Sequence, residues 1–435
     1  MNDRETIGVI GAGWVGVVTA ACFAELGHRV VVRDVVAEKI DALRRGEPEI
    51  HEPGLPELVQ RNSERLIFTT DMAEVLEAAR LLFVCVDTPP TASGDADLSR
   101  VHTVIDELGD PGEHVLVMKS TVPAGTGSAI RRDVPGLSYV SCPEFLKEGT
   151  AVEDFMHPDR VVIGAGAGDE SAADAVQALY APLGGEVVRT DVASAEMIKL
   201  ASNAFLAAKI SFINEIANVC EELGADVSAV SQGMGLDDRI GPKFLRAGIG
   251  WGGSCFSKDV SALKQLAANT GYHFQLLQAV IEVNELQKRR VINKLSEQLG
   301  PLAGKRVALL GLAFKPDTDD MRGATSLVMA ARLAGEGAVV VGYDPVAAER
   351  ARAMLPGVEL APSALEALDD ADAAILVTEW PEFAQLDWAE AAERMANPLL
   401  IDGRNFLDPE QLRDAGFSYE GIGRAGAAEA ARAVD

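Results

Sequence analysis

The sequence predicts an α/β fold: two Rossmann-like domains joined by a central helical region with a long connecting helix. Three stretches carry that prediction. Near the start, the buried-strand pattern Ile7-Gly8-Val9-Ile10 meets the turn Gly11-Ala12-Gly13-Trp14-Val15-Gly16 and an apolar helical run to about Leu26. From Val192 to Leu223 a helical pattern continues with few breakers. Near Pro301 a second α/β unit opens, where Lys305 to Leu310 reads as a strand running into Gly311. The expected domain limits are 1–191, 192–300 and 301–435.

Composition narrows the class. The chain has 435 residues, 48% of them hydrophobic and 24% charged, which is ordinary for globular domains with real cores. Lys and Arg number 39 against 66 Asp and Glu, a net charge of −27. That argues against nucleic-acid or anionic-membrane binding, which needs basic surface. It leaves room for an anionic small substrate where basic residues gather locally. The five cysteines, at 22, 85, 142, 220 and 255, are scattered, with no CxxC pair. Neither a disulfide framework nor a metal site is expected. No signal peptide and no apolar run of transmembrane length is read, so the cytoplasm is the expected compartment. The Ala-rich end, Ala425 to Asp435, is expected to fray.

In chain order, the first unit is strand, glycine turn, helix, strand and acid. Gly27 suits a helix C-cap, and Arg29 to Val32 is the second strand, with Asp34 beyond it. A lone GxGxxG is weak, but this context is what a dinucleotide site requires. Gly11, Gly13 and Gly16 permit the tight turn and close pyrophosphate approach, and the helix N-terminus takes the phosphate charge. Asp34 would accept hydrogen bonds from the adenosine ribose, which favours NAD over NADP. Arg33 points the other way, since an arginine there would hold a 2′-phosphate; Asp34 is given the greater weight. Lys39 would reach the ribose or stay a solvated charge.

Leu81 to Val86 and Val115 to Met118 are further buried strands, ending at Thr88 and Thr121. Ligands of open parallel sheets bind beyond such ends, although Thr-Pro and Pro-Ala-Gly are also plain turn chemistry. Ser138 to Ser141 leads into Cys142-Pro143-Glu144-Phe145-Leu146-Lys147-Glu148-Gly149, whose charges are more site-like than core-like. Arg160 to Gly164 is one more strand. On the long helix, Lys199 and Asn203 are four apart and share a face amid Ala, Leu and Phe. Such a helix is long enough to carry a dimer surface.

Arg239, Lys243 and Arg246 lie close in sequence beside glycines and would suit phosphate. Then comes Gly250-Trp251-Gly252-Gly253-Ser254-Cys255-Phe256-Ser257-Lys258-Asp259. A helix is expected from Lys258 to Asn269, placing Cys255 just ahead of its N-terminus, where partial positive charge favours thiolate. A free cysteine is more often buried and inert; the glycines and flanking charges favour a reactive one. Glycine here would also let a ligand approach the thiol. In the last unit, a helix from about Ser326 and strands Ala338 to Val341, Ala373 to Val377 and one ending at Asp402 are expected. Lys315, Arg322 and Arg404 sit at strand ends, where an anion would bind. A reactive cysteine beside NAD suggests oxidation through a thiohemiacetal and a thioester that water cleaves to an acid.

Taken together, GAGWVG at 11–16, KSTVPAGT at 119–126, CPEFLKEG at 142–149, Lys199 with Asn203, GWGGSCFSKD at 250–259, GLAFKPDTDDMR at 311–322 and DGRN at 402–405 resemble the UDP-glucose 6-dehydrogenase family. The likeness covers nearly the whole chain. It implies a four-electron oxidation of UDP-glucose by NAD. By that resemblance Cys255 is the nucleophile, Lys199 stabilises the oxyanion with help from Asn203, Asp259 is a base acting through water, and Glu144 activates water positioned by Thr121. It further implies NAD contacts at Gly11, Gly13, Gly16, Asp34, Lys39, Thr88, Thr121, Glu148, Lys258 and Arg322. Substrate contacts are implied at Glu144, Phe145, Leu146, Lys147, Lys199, Asn203, Phe244, Leu245, Arg246, Ala247, Gly248, Gly252 and Lys315. Arg239 and Arg404 match arginines associated with the nucleotide sugar, one of them across a subunit boundary, and a homodimer or larger homo-oligomer is expected. Asp87 is an unusual choice beside the cofactor, and Trp251 replaces a more common Tyr or Phe. The alternatives are a dehydrogenase for UDP-N-acetylhexosamine or GDP-mannose, a two-electron hydroxyacid dehydrogenase, and a non-catalytic nucleotide-sugar sensor.

Overall fold

A computed structural model describes residues 4–424; the Ala-rich end lies outside the described residues. By internal contacts the chain forms two units. One runs to Ser202 and includes Ser261–His273; the other comprises Asn203–Val260 and the chain from Phe274 on. The division falls inside two helices, Val192–Leu223 and Ser254–Asn269.

The first unit holds an eight-stranded sheet of β1 (Ile7–Ile10), β2 (Val30–Arg33), β3 (Leu66–Thr69), β4 (Leu81–Val84), β5 (Val115–Met118), β6 (Ser138–Ser141), β7 (Arg160–Ala165) and β8 (Glu186–Thr190). Its order is β3-β2-β1-β4-β5-β6-β7-β8, parallel except where β7 meets β6. β1, β2, β4 and β5 are wholly buried, so they read as continuous apolar runs rather than alternating ones. Two apolar clusters cover the sheet, one built on the helix Trp14–Glu25 and the other on Ser99–Leu108. The chain reverses direction across the sheet at β1, so the crevice beyond β1 and β4 is where a ligand of this topology belongs.

The second unit holds a six-stranded parallel sheet of β9 (Arg306–Leu310), β10 (Val339–Tyr343), β11 (Glu359–Leu360), β12 (Ala373–Leu376), β13 (Leu399–Asp402) and β14 (Ser418–Glu420). Its order, β11-β10-β9-β12-β13-β14, repeats that of the first six strands of the other sheet. The turns after the first strand differ, however. Asp344 is the counterpart of Asp34 and is 3% exposed. Its Oδ2 accepts from the Leu312 and Ala313 N–H groups at 2.7 and 2.9 Å and from the Trp380 indole at 3.1 Å. The turn's amides are thus already occupied, and buried Ala313 stands where the first turn has Gly13. The second turn is closed to a pyrophosphate bound as the first would bind it.

The helix Val192–Leu223 has 32 residues without Gly or Pro and many Ala, Leu, Glu and Lys, all strong helix formers. It spans about 48 Å at the usual rise. Among the described residues, no helix is long and apolar enough to cross a membrane.

Candidate active site

The glycine turn of the first unit uses its three glycines differently. Gly11 has φ +104°, and a Cβ there would lie 2.6 Å from the Cys85 carbonyl oxygen. A Cβ on Gly16 would lie 1.8 Å from the Gly11 carbonyl oxygen. These two serve the chain's own packing. A Cβ on Gly13 would meet nothing nearer than Asp87 Oδ1 at 3.7 Å, so this glycine faces open space. The helix behind it starts at Trp14 with no side-chain cap and no acid in its first turn. Asp34 lies beside the turn, its Oδ2 accepting from the Ala12 N–H at 2.8 Å. An open glycine, free helix-start amides and a carboxylate at the end of β2 fit the pyrophosphate and adenosine ribose of NAD.

Arg33 does not compete with Asp34. It is 7% exposed and turned into the protein, donating to Glu107 Oε1 at 2.8 Å. Lys39 is half-buried on the helix Ala37–Arg44. Asp87 is paired with Arg100 at 2.9 Å, both exposed, so its charge beside the turn is partly offset. Beyond β4 and β5, the buried Thr88 hydroxyl donates to the Thr121 carbonyl at 2.7 Å and ties the two strand ends together.

Beyond β6, Glu144 is buried against Lys199, whose Nζ donates to Oε1 at 2.8 Å; both side chains are about as buried as core residues, 6% and 5% exposed. Glu144 Oε2 accepts from the Leu146 N–H at 2.6 Å. Burial pushes the Glu144 carboxyl up, but the Lys199 charge, its hydrogen bond and the Leu146 N–H outweigh that and hold it below the usual carboxylate range. Phe145 lies under two cations, with Arg160 stacked 3.8 Å from its centroid and Lys199 Nζ at 5.5 Å. Glu148 is buried nearby in sequence. Lys147 turns outward and pairs with Asp154 at 2.6 Å.

In the second unit the cysteine helix starts earlier than the sequence suggests. It runs Ser254–Asn269, so Cys255 lies within its first turn rather than ahead of it. Gly253, at φ +90°, releases the chain into the helix directly, and Ser254 is its first residue. Cys255 and Asp259 therefore share a face one turn apart. Asp259 is 1% exposed; its Oδ2 accepts from Asn203 Nδ2 at 2.6 Å, and its Oδ1 lies 2.7 Å from Lys258 Nζ. That last pair is an ion contact without hydrogen-bond alignment. Lys199 and Asn203, adjacent turns of one helix, thus serve different carboxylates, Glu144 and Asp259 respectively. Cys255 is half-buried, whereas the other four cysteines are buried. Burial pushes the Cys85 thiol up to about 12 and raises those of Cys22 and Cys220 as well.

The glycines before Cys255 have a reason within the chain itself. A Cβ on Gly252 would lie 2.5 Å from the Gly323 carbonyl oxygen, and one on Gly253 would lie 2.8 Å from the Phe314 ring. The loop is pressed against the turns that follow β9, so glycine is required whether or not a sugar comes near. Gly248 meets Gly403 in the same way, at 2.6 Å. Arg404 is wholly engaged, donating to the carbonyls of Val377 at 2.7 Å and Gly250 at 3.1 Å and to Thr325 Oγ1 at 3.3 Å. It ties the cysteine loop to the end of β13. Leu245, Ala247 and Gly248 are buried, while Phe244 (φ +65°) and Arg246 are exposed. Lys315 is half-buried with Nζ 5.5 Å over the Phe314 ring. Arg322 is exposed and paired with Asp320, and Arg239 is exposed and paired with Asp237 at 2.6 Å.

Sequence reasoning passed over several buried polar residues that hold these loops. Glu52, 2% exposed, accepts from the Trp14 indole at 2.9 Å and from the Gly149 and Ala151 N–H groups at 2.8 and 2.7 Å. Glu196 accepts from Gly125 and Gly127 N–H at 2.7 and 2.8 Å, holding the loop that carries Thr121. Asn214, Asn284 and Gln287 hold the cysteine loop. A polar residue at core spacing was the available signal: Leu277, Val280, Asn284, Gln287, Val291 and Leu295 form one buried stripe.

Known proteins agree with this arrangement. Models of the UDP-glucose/GDP-mannose dehydrogenase family match in order: its NAD binding domain over residues 5–184, its central domain over 193–286 and its UDP binding domain over 308–409. The chain is 45% identical to the UDP-glucose 6-dehydrogenase TuaD of Bacillus subtilis, over 97% of this chain and 93% of that protein. It is 43% identical to the UDP-glucose 6-dehydrogenase of Rhizobium meliloti, over 96% and 99%. Among solved structures, a UDP-glucose dehydrogenase from Pyrobaculum islandicum superposes with a TM-score of 0.90 at 39% identity, covering 98% of this chain and 99% of that one. A UDP-D-ManNAc dehydrogenase from Pyrococcus horikoshii gives 0.85 at 27% identity, covering 97% and 99%. With a glycine turn fitted to NAD, a second sheet of the same order but with a closed turn, and family matches along almost its whole length, the chain belongs to the UDP-glucose/GDP-mannose dehydrogenase family and is an NAD-dependent nucleotide-sugar dehydrogenase.

Proposed function

We propose that the protein is a UDP-glucose 6-dehydrogenase that oxidises UDP-glucose to UDP-glucuronate through a covalent adduct on Cys255. The observation that carries this reading is the half-buried thiol in the first turn of a helix, one turn from a buried Asp259 held by Asn203 and Lys258. UDP-glucose is preferred over N-acetylhexosamine or mannose nucleotides because the relatives acting on UDP-glucose stand at 39–45% identity, against 27% for the UDP-D-ManNAc enzyme. A sensor would need no thiol so placed, and a two-electron hydroxyacid dehydrogenase would release a single NADH.

In this reading residues 1–191 bind NAD, 192–300 carry the chemistry and 301–435 hold the UDP group. NAD supplies the hydride acceptor for both oxidations. Asp259, acting through a water, takes the proton from the C6 hydroxyl. Cys255 then attacks the resulting aldehyde carbon, forming a C–S bond, and Lys199 stabilises the oxyanion. After the second oxidation the adduct is a thioester. Glu144 activates water for its hydrolysis, with Thr121 positioning that water. Gly11, Gly13, Gly16, Asp34, Lys39, Thr88, Glu148, Lys258 and Arg322 serve NAD. The stretch Phe145 to Lys147, Phe244 to Gly248, Gly252, Lys315, Arg239 and Arg404 serve the nucleotide sugar, Arg404 by holding the cysteine loop.

The test is stoichiometry. Purified protein given limiting UDP-glucose and excess NAD should release two NADH per sugar and yield the acid, while UDP-N-acetylglucosamine and GDP-mannose support far slower NADH formation. One NADH per UDP-glucose with an aldehyde product would sink the four-electron reading, and faster turnover of an N-acetylhexosamine nucleotide would sink the substrate.

The same reading makes the protein a homodimer. The long helix exposes Phe205, Phe212, Val219 and Leu223, between 52% and 74%, along one stripe. With Leu276, Val280 and Val283 they line a groove of about 1040 Å³ that Arg239 also borders. Apolar patches of this kind mark an interface, and a second copy presenting the same stripe is its natural occupant. Phe212→Glu should reduce the mass in solution from about twice 46.0 kDa to the monomer value by light scattering. An unchanged mass, or a wild type that is already monomeric, would remove this interface.

A further inference from the structure

The loop in front of Cys255 is held by side-chain amides rather than by regular structure. Residues 245–253 form no helix or strand. Their buried N–H and C=O groups still need partners. The Gly248 N–H donates to Asn214 Oδ1 at 2.8 Å, and the Gly248 carbonyl accepts from Gln287 Nε2 at 3.0 Å. Three residues on, the Trp251 N–H donates to Asn284 Oδ1 at 2.7 Å, and the Trp251 carbonyl accepts from Asn284 Nδ2 at 3.0 Å. Asn214, Asn284 and Gln287 are 0%, 1% and 1% exposed.

Asn284 therefore does for Trp251 what a neighbouring strand would do. One side chain matches both the donor and the acceptor of a single residue. The amide orientation follows from what it meets, an N–H on one side and a C=O on the other. The same amide also shapes the bend before it. A Cβ on Gly250, whose φ is +96°, would lie 2.5 Å from Asn284 Oδ1. Two residues past Trp251, the Gly253 N–H donates to the Gly323 carbonyl at 3.3 Å, and the helix carrying Cys255 begins at the next residue. Only an uncharged group with both a donor and an acceptor satisfies Trp251. An apolar side chain of the same size would leave both the N–H and the carbonyl of Trp251 buried without that partner.

We propose that Asn284 is a positioning residue for Cys255. Its amide fixes the backbone at Gly250 and Trp251 and so the start of the helix that aims the thiol, while Gln287 and Asn214 hold the loop upstream at Gly248. The role rests on Cys255 being the nucleophile.

The test measures, on full-length protein, steady-state oxidation of UDP-glucose with NAD and the rate of Cys255 alkylation by iodoacetamide, read by mass spectrometry of the Cys255 peptide. In folded Asn284→Leu, turnover to the acid should fall roughly tenfold to a hundredfold, as misplacement of a reacting group does, with KM for NAD within about twofold and the Cys255 alkylation rate altered by about threefold or more. Wild-type turnover in a folded variant overturns the role. So does a fall in turnover with unchanged Cys255 alkylation, because the effect would then not pass through the thiol. If Asn284→Leu does not fold, Gln287→Met, which loses the bond to the Gly248 carbonyl and the one accepted from Asn218 Nδ2, is read by the same two measurements against the same outcomes. Cys255→Ser run in parallel separates the two ideas: undiminished acid formation by that variant removes the nucleophile itself, whereas its loss alongside unaffected amide variants removes only the positioning role.

Discussion

Cys255→Ser should lower complete turnover to the acid by on the order of 10³-fold or more, the scale seen when an enzyme loses its nucleophile. Position 255 lies in the first turn of a helix, where the partial positive charge of the helix start favours an anionic side chain. A serine hydroxyl in the same place stays protonated near neutral pH and is a far weaker nucleophile than a thiolate. The other cysteines offer no substitute, because Cys22, Cys85, Cys142 and Cys220 are buried and burial raises the thiols of Cys22, Cys85 and Cys220. The first oxidation needs no sulfur. The variant should therefore still transfer a first hydride, visible as NADH not exceeding one equivalent per site in a rapid-mixing experiment, and then stall. Acid formation at the wild-type rate would refute the covalent route.

Lys199→Met should cost both turnover and stability, and should reverse the pH dependence of the latter. Lys199 and Glu144 form a buried pair at 2.8 Å with side chains 5% and 6% exposed. Removing one partner of such a pair typically costs about 3–5 kcal/mol, because the other is left charged and desolvated. In the wild type, Glu144 is held below the usual carboxylate range. Its contribution is then fully present above the unfolded value of about 4.3 and is lost as pH falls through the lower folded value. Without Lys199 the burial that pushes the carboxyl up is no longer outweighed, so the folded value rises above the unfolded one. That contribution has the opposite sign: stability falls as pH rises from about 4.3 through the new folded value. Melting temperature against pH should show the wild type losing stability on acidification and the variant regaining part of its deficit there. Parallel curves would mean that the pair does not govern Glu144. Turnover should fall by roughly 10²-fold with a smaller change in KM for UDP-glucose, as for loss of an oxyanion partner. An unchanged kcat would count against that role.

Much of the architecture was legible because its causes are local. Ile7 to Asp34 announces strand, turn, helix and strand through buried apolar runs and obligatory glycines, and the structure has β1, the Trp14–Glu25 helix and β2 there. The limits of the long helix, Val192 and Leu223, were readable at both ends because nothing between them breaks a helix. The short strands β3, β8, β11 and β14 were not: β8, β11 and β14 are largely half-buried or exposed, and β3, although mostly buried, is only four residues long, so each carries too little pattern. The start of the cysteine helix was misjudged by four residues. Glycine, tryptophan and serine give no helical period, and the contact just before Ser254, the Gly253 N–H donating to the Gly323 carbonyl, joins positions distant in sequence.

Residue types and their spacing by themselves determined that a dinucleotide turn lies at 11–16, and singled out Cys255, Lys199, Asn203, Asp259 and Glu144 as candidates for the chemistry. Only the tertiary structure decided who meets whom. Lys199 and Asn203 share a helix face, yet one neutralises Glu144 and the other pins Asp259. Arg33, a candidate phosphate ligand by position, is spent on Glu107, and Gly252 is demanded by the Gly323 carbonyl. The amides that hold the cysteine loop come from Asn214, Asn284 and Gln287, tens of residues away. The physical reason is the same throughout: periodicity and propensity act between chain neighbours, whereas burial forces each polar group to find a partner wherever the fold brings one.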